Sequence, residues 1–411
     1  MGLITSIFER RSDLKNPANW LVNLLRSGGG SATAAGVNVT PQTSLQSTAV
    51  FACARILAES EAQLPLIFYQ RLNGGGKTRA TSHRLYPILH NLPNSEMTSI
   101  ELRETLMGHL ALRGNAFAEI ERDQGNRIKG LWPLRPDKVQ VKRINGQLVY
   151  VVDVPGEGPQ GLPARNVMHL RGFGYDGLIG YSPIKLAAQA IGLAMATEEF
   201  GARFFGNGAK PGGILETPNK LSDKSYERLT KWWNNRHQGL ENSHRMAILE
   251  EGLKLHEIGI APDEAQFLET RKFQVSEIAR LFRVPPHMLA YLEGGASYAS
   301  IEQMSLEFVS YTLTPWLVRW EQAIYRDLLT KAERQSYFAE HLVDGLLRGD
   351  IKSRYEAYNI GRTGGWLSAD DIRDLENMNP LPGDEGKIYL VPLNMVPVSQ
   401  VAEPFAGGTG T

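Results

Sequence analysis

Short runs of apolar, β-branched and aromatic side chains, the pattern of a strand, mark Leu66–Arg71, Ala116–Arg122, Ile128–Trp132, Lys138–Arg143 and Gln147–Val154, and Lys138–Arg143 shows the two-residue period of a half-buried strand. Gly, Asn and Pro separate these segments and supply the turns. Elsewhere the spacing widens to the three and four residues of a helix. One helix is predicted from a cap at Thr43 or Ser44 to about Leu64, with Pro65 ending it. Two more are predicted over His83–Leu92, stopping before Pro93, and Ser99–Arg113, stopping at Gly114. Residues 65–154 therefore read as a mixed α+β block, with Val167–Arg171 as a further strand-like segment.

From Ser182-Pro183 the pattern is helical, because Ser is a good N-cap and Pro is tolerated in the first turn. This helix should run to about Phe205 and end at Gly206-Asn207-Gly208. Ala187, Ala188, Ala190, Gly192, Ala194, Ala196, Gly201 and Ala202 crowd it with small side chains. Two readings stay open: a buried central helix, or a helix packed against symmetry copies of itself. Residues 210–262 read as a β-α-β insertion: a strand Gly213–Glu216, a helix Leu221–Gly239, and a hairpin of Met246–Glu250 with Leu253–Ile258. A helix over 263–283 follows, stopped by Pro285-Pro286. Tyr291–Ser300 is a Gly/Ser-rich loop. From Ile301 a long helix carries Leu306, Val309, Leu313, Trp316, Trp320, Ile324 and Leu328 on one face, with a kink expected near Leu313 because of Pro315. Residues 336–376 are expected to be helical again.

The ends differ in composition. Residues 1–40, with Ser27-Gly28-Gly29-Gly30-Ser31, read as a flexible arm, order beginning near Thr40-Pro41. Residues 397–411 read as a frayed tail. The N-terminus lacks the apolar core of a secretory signal; Gly2 and Ser6 match the short myristoylation pattern, against which an ordinary arm is preferred. The best apolar stretch, Leu186–Thr197, is shorter than the roughly 20 residues a bilayer requires, so no membrane partner is expected.

Charge adds one restriction. The 44 basic residues balance the 44 acidic ones, and a chain that grips nucleic acid through phosphates is usually basic. A tight DNA binder is disfavoured, whereas a conduit through which DNA slides is not. Cys53, the one cysteine, lies in the apolar run Ala49–Ile56 and reads as a buried small hydrophobe; no internal disulfide or Cys-based zinc site can form.

Candidate chemistry is sparse. Gly172-Phe173-Gly174-Tyr175-Asp176-Gly177 satisfies G-x-G-x-x-G after a strand, with Glu198 about 20 residues on. However, the helix begins at Pro183, six residues beyond the last glycine, too late for its first amides to meet a pyrophosphate, and Glu198 falls inside it. A glycine-rich connector is the preferred reading. Gly76-Lys77-Thr78 lacks the earlier glycine of a phosphate loop, since position 71 is Arg, and reads as a β-turn. His256-Glu257 has no second histidine at 260, which is Ile. Glu250-Glu251 and Asp370-Asp371 read as solvated surface. Trp232-Trp233 and Trp316 with Trp320 could stack on bases, but core packing or subunit contact is preferred. No catalytic, cofactor-binding or metal-binding constellation is recognised, and no enzyme is expected.

Several short motifs in fixed order carry a resemblance. They are Thr48–Ser60 followed by Leu64-Pro65-Leu66, Pro93-Asn94, Gly114–Ile120, Leu131-Trp132-Pro133-Leu134 and Gly177–Ile184. Further along stand Phe204–Ala209, Leu281–Pro286, Ile301-Glu302-Gln303, Phe308–Glu321 and Leu346–Asp350. Together they cover most of 40–395, and the chain resembles the portal proteins of tailed phages, the type common in siphophages.

That resemblance implies an α+β subunit with a wing, a two-helix stem, a β-α-β clip and a mainly helical crown, assembling into a ring of about twelve copies. The implied parts are a flexible arm 1–40, wing 41–181, first stem helix 182–209, clip 210–262, second stem helix 263–287, tunnel loop 288–300, kinked wing helix 301–335, wing and crown 336–396, and a flexible tail 397–411. It implies a channel at one capsid vertex for DNA packaging and ejection, in the virion and, during assembly, in the host cytoplasm. The implied partners are other copies of the chain, double-stranded DNA, the terminase large subunit, a head-completion or adaptor protein, the major capsid protein and scaffold. Site residues follow by position: Tyr291, Glu293, Ser297, Tyr298 and Ser300 facing DNA; Ala187, Ala188, Ala194, Gly201 and Ala202 packing stem helices; Lys231, Trp232 and Arg236 facing terminase or adaptor. The rival readings are a nucleotide-dependent enzyme built on Gly172–Gly177, a shorter head or tail connector, and a monomeric DNA-binding protein.

Overall fold

The computed structural model describes residues 31–73, 75–206, 213–216, 222–237, 254–257, 264–291, 298–343, 351–376 and 378–390. They belong to two units, Met1–Val343 and Asp344–Thr411.

The first unit opens, among the described residues, with an antiparallel hairpin of β1 (Ser31–Ala32) and β2 (Asn38–Val39). Residues 31–39 are therefore structured, contrary to the expected onset at Thr40. The reason lies far away in the chain. The Ala34 N–H donates to Gln189 Oε1 at 3.0 Å. The Thr33 side chain occupies the space above Gly192, where an added Cβ would fall 2.5 Å from its methyl carbon.

Next come α1 (Pro41–Ser44) and α2 (Thr48–Ala62), two helices where one was expected. Thr40, not Thr43, caps the first. Its hydroxyl accepts from Thr43 N–H at 2.9 Å, and Thr43 Oγ1 accepts from Thr40 N–H at 2.8 Å, a reciprocal capping box that restarts the backbone before α2. Then follow β3 (Leu66–Arg71), β4 (Lys77–Arg79), α3 (Leu85–His90) and α4 (Ser99–Arg113). The bounds of α4 are those predicted. Thr98 and Glu101 close its N-terminus, and Gly114 ends it with φ +71°. Lys77 and Thr78 stand in the second strand of a hairpin and do not open a helix, so the expected turn lies just before them, between Leu72 and Gly76, and the segment is not a phosphate loop.

The chain continues through β5 (Asn115–Arg122), β6 (Ile128–Leu134), β7 (Val139–Ile144), β8 (Gln147–Val154), β9 (Gly158–Pro163) and β10 (Val167–Arg171). Strand β9 escapes a pattern reading because two prolines and two glycines leave Leu162 as its one apolar side chain besides proline. After α5 (Pro183–Leu186) the backbone breaks at Ala187, then α6 runs Ala188–Gly206. Ser182 caps α5 as expected, accepting from Lys185 N–H. Beyond it lie β11 (Gly213–Glu216), α7 (Asp223–His237), β12 (Lys254–Glu257) and α8 (Glu264–Phe282). Strand β12 pairs antiparallel with β11; the other expected hairpin arm, Met246–Glu250, lies outside the described residues.

Helix α9 (Tyr298–Glu307) passes through a π-helical turn, Phe308–Leu313, into α10 (Thr314–Asp327). The irregularity expected from Pro315 is thus a wide turn just upstream. Proline has no N–H to give, and Thr314 Oγ1 donates to Val309 O at 2.8 Å across the turn. The short α11 (Glu333–Ser336) leads to β13 (Tyr337–His341), a strand where helix was expected. Pairing decides it: β13 joins β3, and the rings of Tyr337 and Phe338 stack on Phe68 and Tyr69 at 5.7 and 5.6 Å.

The larger sheets have strand orders β10-β5-β6, β7-β8-β9 and β13-β3-β4, with antiparallel neighbours. Phe117, Val139, Val141, Tyr150, Val152, Val167 and Ile179 form a core cluster between the first two. Helices α2 and α4 pack together, and Val50, Leu57, Leu106, Leu110, Trp320 and Ile324 are buried. Cys53 is buried among them, and burial pushes its thiol pKa up to about 12, as its reading as a small hydrophobe requires. Trp320 is core, as preferred over base stacking.

Inside this unit sits a polar knot with almost no solvent access. Glu61 Oε1 accepts from Arg103 Nε at 3.1 Å and lies 3.2 Å from His341 Nε2. Arg103 also donates to the carbonyls of Glu61 and Leu64, and His341 Nδ1 lies 3.0 Å from Glu321 Oε1. The knot ties α2, α4, α10 and β13 together.

In the second unit, α12 (Ile351–Thr363) and α13 (Ala369–Leu375) confirm helix within 351–376. Asp370 and Asp371 are engaged, not simply solvated. Asp370 Oδ1 accepts from Leu381 N–H at 2.8 Å, and Asp371 accepts from Ser368 N–H at 2.8 Å, a bond that lowers its carboxyl pKa. Among the described residues no helix is long and apolar enough to cross a membrane.

Candidate assembly and channel elements

Three sites follow from the sequence: a helix pair, the module between its members, and a loop after them. Helices α6 and α8 do pack on one another. Gln274 Nε2 donates to Thr197 Oγ1 at 3.1 Å, and Arg271 stands 3.4 Å from Glu198. The small residues divide. Ala188, Ala194 and Gly201 are buried, Ala187 sits half-buried in the break before α6, and Ala202 is exposed. Close packing within the protomer therefore consumes Ala188, Ala194 and Gly201. The outward face of α5 and α6 instead carries Leu186, Leu193 and Phe200, seven residues apart and exposed. That spacing returns to the same side of a helix every two turns. It was legible in the sequence but hidden among the alanines.

In the intervening module Lys231 is exposed on α7. The side chains of Trp232 and Arg236, on the same helix, lie outside the described residues, as do those of Trp233 and His256.

The loop is reached through Pro286–Leu289, a tight 3-10 turn bracketed by Arg283 and Ala290 at φ +57° and +56°. Thr312 Oγ1 donates to Arg283 O at 2.7 Å and ties this turn to the π-helical segment. His287 lies 3.5 Å from Ser305 Oγ, and burial lowers its pKa. Tyr291 is half-buried. Glu293 and Ser297 lie outside the described residues. Tyr298 and Ser300 belong to α9, so the helix starts before the expected loop end at 300, and their side chains lie outside the described residues.

The G-x-G-x-x-G segment is a backbone crossing. Gly172 N–H donates to Gly114 O at 2.8 Å, and Tyr181 N–H to Phe173 O at 2.8 Å. Asn115 accepts from Gly180 N–H at 2.8 Å and donates to Gly180 O at 2.7 Å. Asp176 Oδ1 accepts from the N–H groups of Leu178 and Ile179 at 2.8 and 3.0 Å. The Gly172 amide is thus spent within the protomer, and no helix starts at the last glycine to turn its first amides toward a pyrophosphate, since α5 begins only at Pro183. The connector reading stands, and the segment leaves Phe173 and Tyr175 projecting into solvent, which the sequence did not single out. Among the described residues no three His, Cys, Asp or Glu side chains cluster as metal ligands.

Comparison with known proteins follows the same direction. The family model described as phage portal protein matches residues 48–377. The chain is 37% identical over 389 residues to a probable portal protein of Streptomyces phage phiC31, covering 91% of this chain and 84% of that one. It is 34% identical over 366 residues to the portal protein of Enterobacteria phage HK97, covering 89% and 86%. Among solved structures, a chain from the neck of a native gene transfer agent particle, computed with C12 symmetry, aligns with TM-score 0.54 at 25% identity. The alignment covers 83% of this chain and 92% of that one. An HK97 family phage portal protein from Corynebacterium diphtheriae aligns with TM-score 0.57 at 18% identity, covering 79% and 99%, a likeness of fold.

Proposed function

This chain belongs to the phage portal protein family, and from that premise we propose how its parts make and use a channel. It is a capsid portal subunit that closes into a ring, and the ring holds twelve copies, each meeting its neighbour head to tail. The observation that carries this reading is the likeness along 91% of the chain to a portal protein, and the C12-symmetric neck of a structural relative supports the number.

Residues 41–181 serve as wing, 182–209 and 263–287 as stem, 210–262 as clip, 288–300 as tunnel loop, 301–335 as kinked wing helix and 336–396 as further wing and crown. The packing of α6 on α8, with a strand-helix-strand module between them in sequence, supports this division. The clip, through Lys231, Trp232 and Arg236, receives the terminase large subunit and later a head-completion or adaptor protein. Capsid protein and scaffold meet the outer parts. The role is mechanical: terminase supplies ATP hydrolysis, and the portal guides double-stranded DNA during packaging and ejection.

A conduit must not hold what it conducts. Each phosphate neutralised by Lys or Arg adds a salt-dependent grip. Residues 291–300 contain Glu293 and no Lys or Arg, which suits sliding contact. Several lysines grafted into 291–300 should slow or block DNA packaging in an infected cell or in vitro; packaging at the unaltered rate would refute the sliding role of this loop. The ring itself is tested by native mass spectrometry with negative-stain imaging. A particle of about twelve copies with a central hole is expected. A chain that stays monomeric or dimeric at assembly concentrations would count against it.

A further inference from the structure

We infer that the loop Gly172–Gly177 is the projecting half of the contact between neighbouring protomers, with Phe173 and Tyr175 as anchors seated on a second copy of the chain. The inference rests on the ring reading above. Phe173 and Tyr175 are 75% and 71% exposed, more than any other large apolar or aromatic side chain among the described residues. Single exposed apolar side chains are ordinary, but two aromatic rings on a short loop, held this firmly, are not.

The firmness comes from the crossing already described and from three further contacts. Arg171 donates to Gly177 O at 2.9 Å, Arg319 Nε donates to Arg171 O at 3.2 Å, and the Phe173 ring rests 6.0 Å from that of Tyr181. A loop already locked in one shape loses little conformational entropy when it docks, which is what makes rigid aromatic side chains effective anchors.

The chemistry of the loop selects the occupant. Residues 172–184 hold no Lys or Arg, and their one charged side chain, Asp176, is taken up by the backbone of Leu178 and Ile179. Nothing there attracts DNA phosphates. A head-to-tail ring requires two different complementary patches on every protomer. The loop immediately precedes Ser182-Pro183, where the proposed stem begins, so it stands at the root of the helices that must meet their neighbours' copies.

The test uses the full chain. With Phe173→Ser and Tyr175→Ser together, the protomer concentration at half-assembly, read by native mass spectrometry across a dilution series, should rise about tenfold or more. Circular dichroism of the unassembled protomer should not change and its thermal midpoint should shift only slightly, because both rings are mostly in water and Phe173 gives up only its contact with Tyr181. A photo-crosslinking benzoylphenylalanine at position 175 should join two identical chains, and this readout decides the matter should the double variant misfold. Assembly of the double variant at the unaltered concentration, or crosslinks confined to one chain, would overturn the inference while leaving the ring intact. An unaltered chain that never assembles would sink the ring reading and this contact with it.

Discussion

Gly180→Ala should destabilise the first unit by roughly 3 kcal/mol or more, enough to prevent recovery of folded protein at growth temperature. An added Cβ at Gly180 would lie 2.0 Å from Gly114 O and 2.8 Å from Gly172 N, both backbone atoms that cannot swing aside. Relief would have to break the bonds by which Asn115 holds Gly180, and with them the link between α4, β5, β10 and the start of α5. Gly114→Ala should be at least as harmful, since its Cβ would sit 1.8 Å from Tyr181 O at a φ of +71° that alanine disfavours. Gly108 is the control. It lies inside α4 with nothing within 4 Å of a new Cβ, so Gly108→Ala should be neutral or stabilise by up to about 1 kcal/mol. Urea unfolding at one fixed protomer concentration separates the cases; equal midpoints for Gly180→Ala and Gly108→Ala would refute the crossing as a steric constraint.

Glu61→Ala should cost about 3 to 5 kcal/mol, because it strands a buried guanidinium. The Glu61 side chain is 0% exposed and Arg103 5% exposed, and this carboxylate is the acidic partner within reach of both Arg103 and His341 Nε2. Arg103 would keep its bonds to the carbonyls of Glu61 and Leu64, which accept hydrogens but do not neutralise a charge. Removing both charges in Glu61→Leu with Arg103→Met should cost less than Glu61→Ala alone, since no unpaired ion stays behind. The exposed pair Arg55 and Glu59 offers the contrast: Glu59→Ala should change stability by no more than about 0.5 kcal/mol. Chemical unfolding of the three variants checks the order. A double variant worse than the single would mean that the knot contributes through hydrogen-bond geometry and not through charge pairing.

Both constraints are non-local, and that explains which parts of the molecule could be read from residues in order. Helix α4 was legible to its last residue because its signals sit within a turn of each end: Thr98 with Glu101, then Gly114. Strands β3, β8, β10 and β11 were legible because short runs of apolar, β-branched and aromatic side chains bounded by turn residues are carried by consecutive positions. The family, too, was legible, because its short motifs keep their order along the chain. What a segment pairs with was not. Tyr337–His341 is a strand because β3, some 267 residues earlier, offers it a free edge and two rings to stack on. Residues 31–39 are ordered because Gln189 and Gly192 receive them.

The same division runs through the candidate site. The abundance of small residues in α6 was plain in the sequence, but only packing could decide that Ala188, Ala194 and Gly201 turn into the protomer and leave Leu186, Leu193 and Phe200 outside. The glycines of 172–180 were equally plain, while their purpose, letting two backbone segments cross within hydrogen-bonding distance, appeared only when Gly114 was brought against Gly180. Sequence alone determined the bounds of α4, the cap at Ser182, which stretches are strand-like and which family the chain resembles, since each depends on neighbours in the chain or on their order. The tertiary structure decided partners and faces, because a side chain's burial depends on surfaces contributed by residues that may stand hundreds of positions away.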